Sequence, residues 1–228
     1  MKNILIIIKK QIKDTVKNKT ILVEFIMFPL LTLIMENAIK LENMPELFFT
    51  KLFSIMYIGM APLTAAAAII SEEKEKNTLR VLIMANVKPW QYLAGLGIYI
   101  WTICMAGAIL MATGLDDSCI PFYLVLMGTG FLLSIAAGAC IGIYAKNQMI
   151  STSLVMPAIL ILSFIPMLAM FNEKIARPAK ILYTQQLRIF LDKMTFSPIQ
   201  SENVIILVSN AVIIFLLFFL VFKKKGLE

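Results

Sequence analysis

The sequence predicts an all-α integral membrane protein: one domain built on six membrane spans. Three observations carry this expectation. Of 228 residues, 60% are hydrophobic and only 15% are charged, where soluble domains carry roughly 25% charged residues. The apolar residues fall in blocks of about 20, the length that crosses about 30 Å of hydrocarbon as a helix. The blocks are continuously apolar, unlike the short alternating strands of a membrane barrel.

Residues 1–19 hold six lysines and one acid. Lys9, Lys13 and Lys17 form one helical stripe, and Leu5, Ile8, Ile12 and Val16 form another. That is the pattern of a basic amphipathic helix on a membrane surface. A positive flank with no further role fits the same lysines. The apolar core near the start, Ile4 to Ile8, has five residues, short of the roughly 7–15 of a secretory signal, so the N-terminus is expected to be retained.

Spans are predicted at 20–39, 52–71, 92–114, 120–145, 149–171 and 203–222, the last closed by Lys223, Lys224 and Lys225. The first carries Glu24 and Glu36 about Pro29. In the fourth, Ser134, Gly138 and Gly142 make a small-residue ladder, with Gly128 and Gly130 one to two turns earlier. Such a face lets helix backbones approach closely. Pro29, Pro62, Pro157 and Pro166 each remove a helical hydrogen bond, and the last two predict a bent or re-entrant fifth span. The 172–202 segment is too polar to span. Its Tyr183, Leu187, Phe190, Leu191 and Met194 share one helical face, with Gln185, Arg188, Asp192 and Lys193 off it. It is expected at the outer surface, dipping back before the last span, either covering span ends or acting as an outer lid.

Orientation follows from the basic residues. With the N-terminus inside, the inner segments 1–19, 72–91, 146–148 and 223–228 hold fourteen of the 21, and the outer segments hold seven, five of them in 172–202. Both termini are therefore expected in the cytoplasm.

Much chemistry is missing. There is no phosphate-cradling Gly-x-x-x-x-Gly-Lys loop, no His-Glu-x-x-His helix and no Gly-x-Ser-x-Gly elbow. Histidine is absent, and Cys104, Cys119 and Cys140 make no spaced framework. No catalytic residue, metal site or nucleic-acid partner is expected. Coupled carriers place acids near the membrane midplane. Glu24 and Glu36 are the candidates, but each lies near an end of its span, and twelve residues turn them about 120° apart.

The densest charge cluster follows the second span: six of the nine residues from Glu72 to Arg80 are charged. A short apolar stretch, Leu79 to Met84, comes next, then Pro89, suited to the first turn of a new helix, with Trp90 and Tyr92 at the headgroup level. A helix leaves the membrane, a short surface helix runs along it, and a helix returns. A solvated interfacial loop has this layout, and so does a docking element whose Leu79, Leu82 and Ile83 enter a partner's groove.

Glu73-Lys74-Glu75-Lys76-Asn77-Thr78-Leu79, the apolar run, the proline loop and the aromatic opening the next span resemble the ABC-2 type transporter permeases, whose pattern reads E-[KR]-E-x-[GN]-T-L. Asn77 stands where glycine is common, which a left-handed turn tolerates, and the proline comes slightly late. The resemblance runs the length of the chain, through the basic surface helix, the six spans, the amphipathic segment, Ser197-Pro198 and the lysine-rich tail. It implies a type V exporter-like fold in a bacterial cytoplasmic membrane. Residues 72–91 would hold a coupling helix seated in a separate ABC ATPase subunit. Glu72, Glu73, Glu75, Thr78 and Arg80 would be contact or capping residues, with Leu79 and Leu82 as buried anchors. Two permease copies or paralogues would pair with two ATPases, and ATP and Mg²⁺ would be used by the partner, with no cofactor on this chain. The substrate would be hydrophobic or amphipathic (an antimicrobial peptide, antibiotic or lipid-like molecule), on a path lined by spans two and five with Tyr57, Met60, Phe164 and Met167 as candidates. A stand-alone carrier or channel, and a membrane immunity protein that transports nothing, are the alternatives.

Overall fold

The computed structural model describes residues 2–39, 45–194 and 201–226. Among them all regular structure is helical, and six helices are long and apolar enough to cross a membrane. Ser197-Pro198 and the last two tail residues lie outside the described residues. The helices are α1 (Lys2–Lys17), α2 (Lys19–Ala38), α3 (Phe48–Glu75), α4 (Thr78–Met84), α5 (Pro89–Met111), α6 (Ile120–Tyr144), α7 (Gln148–Ile159), α8 (Ile165–Leu168), α9 (Glu173–Ala179), α10 (Tyr183–Lys193) and α11 (Ser201–Lys225). A π turn, Leu160–Phe164, joins α7 to α8.

Local chemistry starts and stops them. Asn18, Asn147 and Asn172 cap α2, α7 and α9 by accepting from the amides of Ile21, Ile150 and Lys174. Pro89 opens α5 at its first turn, as predicted. Asn77, at φ 56°, takes the left-handed conformation between α3 and α4.

α3 is the central helix. In its most apolar stretch 78% of residues are buried, against none in α11 at the edge of the bundle. It packs against α2, α5, α6, α7 and α10. Its 28 residues run about 42 Å at 1.5 Å each, so it outreaches a bilayer core of about 30 Å. The predicted end at residue 71 is therefore four residues short: the charged residues Glu72 to Glu75 are the last turn of the span's own helix.

The small-residue ladder of α6 faces α3 at every step. A Cβ on Gly138 would collide with the Leu63 carbonyl oxygen, and one on Gly142 would lie 2.8 Å from the Ile70 Cβ. The expectation of close packing within the chain is met.

The prolines leave α2 and α3 continuous, because neighbours fill the vacancies. Pro29 has no N–H for the carbonyl of Phe25, and the Tyr57 hydroxyl donates to that oxygen at 3.1 Å. Pro62 leaves the carbonyl of Ile58 free, and Ser134 Oγ donates to it at 2.6 Å. Ser134's proton being used, the Tyr183 hydroxyl, 2.7 Å away, donates to Ser134. In hydrocarbon no water would serve these carbonyls.

Tyr183 opens α10, which departs from the expected amphipathic pattern in one respect. The five predicted apolar residues are buried, but so are Thr184, Gln185 and Gln186. The first turn of α10 is inside the bundle, against the middle of α6. Asn210, well into α11, donates to the Ile181 carbonyl at 2.8 Å. Residues 173–194 thus hold two short helices, of which α10 enters the bundle with Asp192 and Lys193 left exposed at its far end.

Candidate functional site

The α2, α5 and α7 starts and the α3, α6 and α11 ends gather at one end of the bundle, with α1 and α4. There the charge cluster is a set of internal ties. Glu72 accepts from Asn18 Nδ2 at 3.5 Å and pairs with Lys76. Glu73 is 7% exposed; one of its oxygens takes the Lys10 ammonium and, at 2.6 Å, the Gln11 amide of α1. Lys74 Nζ donates to the carbonyl of Ile143 at 2.7 Å. Glu75 accepts from the backbone N–H of Gln148 at 2.8 Å. A cation thus meets the carbonyl end of α6, and a carboxylate meets the amide end of α7, each the sign that the helix dipole favours. Four consecutive side chains reach four different helices, three of them at an end. The Glu72 hydrogen bond and charge hold the Lys76 ammonium above the usual lysine pKa.

These contacts relocate several predicted site residues. Glu73 does not face an outside partner, because α1 covers it. Thr78 donates to the Glu73 carbonyl at 3.1 Å, joining α4 to α3. Leu79 is 1% exposed in the chain's own core, and Leu82 and Ile83 are half-buried against it. The reason is helical phase: residues 79, 82 and 83 share one face of α4, and that face is taken. The opposite face holds Arg80, exposed, with Val81 62% and Met84 70% exposed. Val81 and Met84 were missed, although a helical projection of seven residues separates the faces. Beside them a groove of about 590 Å³ runs between Lys74, Arg80 and Lys146 over Ile83 and Met84.

α1 has three faces. Lys9, Lys13 and Lys17 are exposed, as are Leu5, Ile12 and Val16, while Ile7, Gln11 and Thr15 are buried against the rest of the chain. The third face was not legible, since Gln11 and Thr15 break the apolar pattern. Trp90 is exposed at this end. Tyr92 is buried beside Glu73.

The chain matches no family model and no curated protein.

The predicted path residues separate. Tyr57 is fully buried and spent on the Phe25 carbonyl. Met60 and Phe164 line a second cavity, between α2, α3 and α7, which Met167 does not reach. Glu36 accepts from the backbone N–H of Thr50 at 3.0 Å, capping the start of α3 at the other end of the bundle. Glu24 lines the cavity instead, so the two acids share no site. Among the described residues no cluster of metal-ligating side chains occurs.

Proposed function

We propose that this chain is the membrane-spanning subunit of an ATP-driven exporter of the ABC-2 type, with α4 as its coupling helix. One observation carries the reading. α4 hangs from the projecting end of α3, turns apolar and basic residues outward, and is joined at its root to α1, α2, α6 and α7 by Glu72 to Glu75. An element used only to close a loop has no need of such anchorage, whereas one that passes force does. The basic groove beside α4 supports an acidic, partly apolar counterpart on a soluble ATPase. In this reading the charged end faces the cytoplasm, a second permease copy or paralogue completes the transporter, and ATP with Mg²⁺ acts on the partner.

The test is capture of the ATPase. Val81→Asp with Met84→Asp is expected to reduce co-purification of the soluble ATPase by about tenfold or more, the loss typical of buried apolar anchors, while leaving the melting temperature unchanged. Leu79→Asp is expected to unfold the chain. An ATPase that binds the Val81/Met84 double variant as well as wild type would sink the proposal.

Glu24 in a cavity between candidate spans favours a second reading, a stand-alone carrier. It predicts nucleotide-free, gradient-driven flux in liposomes that is lost in Glu24→Gln.

A further inference from the structure

The cavity that holds Glu24 measures about 590 Å³, within the roughly 300–1,000 Å³ of small-molecule sites. Asn18, Thr20, Gln148 and Thr152 line it at the charged end, and Met60, Ile159, Leu160 and Phe164 line it deeper in. The deep wall includes the π turn, an irregularity that often marks functional sites. Glu24 is the one charged residue in this lining. Its Oε2 accepts from Thr64 Oγ1 at 2.5 Å, and it makes no ion pair among the described residues.

A carboxylate placed among spans is ordinarily paired or faces a wet cavity. Glu73, the buried acid at the charged end, obeys the first rule with Lys10. Glu24 has the hydroxyl of Thr64 and open space. The cavity therefore has one ionisable carboxyl group, with no cation against it among the described residues, between a polar mouth and an apolar, methionine- and aromatic-lined interior, a surface that adapts to varied apolar shapes.

We propose that this cavity binds a cationic amphipath, its positive group on Glu24 and its apolar part against Leu160, Phe164 and Met60. The inference rests on the transporter reading and narrows its substrate class: a lipophilic anion is disfavoured by the unpaired carboxylate, and a neutral lipid-like molecule leaves that carboxylate unused.

The test uses two probes of equal shape and opposite charge. Binding of tetraphenylphosphonium and tetraphenylborate to the purified full chain in nanodiscs is measured by equilibrium dialysis, with empty nanodiscs subtracted and no nucleotide or ATPase present. Wild type is expected to bind the phosphonium saturably and about tenfold or more tighter than the borate, and Glu24→Gln to lose about tenfold in phosphonium affinity. Met156→Trp, which adds bulk to the lining from an exposed position and keeps Glu24, is expected to weaken the phosphonium too. Equal binding of the two probes, or phosphonium binding unchanged in both variants, overturns the proposal. ATPase capture is read separately, so either idea can fail while the other stands.

Discussion

Tyr57 is a small case of accounting for a backbone oxygen. Pro29 withdraws the donor that the Phe25 carbonyl would have had, and a phenol from another helix replaces it. Removing that hydroxyl is expected to cost about 0.6–2 kcal/mol, the range of hydrogen bonds between helices in membranes. Tyr57→Phe should therefore lower the thermal midpoint. In a Pro29→Ala background the Phe25 carbonyl regains an amide, and the same change should cost less. Equal penalties in both backgrounds, read by melting in detergent, would show that Tyr57 acts by some other contact. Pro29 and Pro62 were legible in the sequence, and each, inside a helix, implies an orphan carbonyl four residues earlier. Which hydroxyl answers was not legible, because Tyr57 and Ser134 lie 32 and 76 residues from the oxygens they serve. Tyr57 reads as a path residue from its position alone, and its hydrogen bond makes it part of the core. Glu73 is a like case: its charge suggested water, and its partner is α1.

Between elements, the closest approach is α3 on α6. Gly138→Ala is expected to force the helices apart, with an overpacking cost of about 1–3 kcal/mol. Gly97→Ala is the control, since its Cβ would meet nothing nearer than 3.9 Å and should be tolerated. Similar midpoints for the two variants would show that the ladder does not set the spacing. What was legible here follows from local pattern: six long helices, the ladder, Pro89 at a helix start, a left-handed Asn77 and the apolar face of α10. What was not legible depends on neighbours. Charges do not stop a helix that has left the hydrocarbon, so α3 runs on to Glu75. Buried Gln185 and Gln186 in α10 look like surface residues until the bundle is assembled around them. The short α4 carries apolar residues on both faces, and only packing decides which face is used.

For the whole molecule, the antiparallel order of the long helices puts α4 and the end of α11 together, with the Lys225 ammonium 5.8 Å from the Tyr144 ring centre, and the α5–α6 turn at the opposite end. In a chain whose cysteines are replaced, Asn77→Cys and Lys224→Cys are expected to react with an impermeant maleimide from the same side of the membrane, and Asp117→Cys only from the other. Labelling of Asp117→Cys together with Asn77→Cys would break the six-span arrangement. The cytoplasmic assignment predicts that the paired positions react in inside-out vesicles.

The ties at Glu72, Glu73, Lys74 and Glu75 have a mechanical consequence. α4 is separated from them by two residues, one in a left-handed turn, so a twist applied to it has little slack to take up. That torque is split at a single joint among α1, the cap of α2, the last turn of α6 and the first amide of α7. In the proposed exporter, a crossroads of this kind would pass a push on seven residues to four other helices.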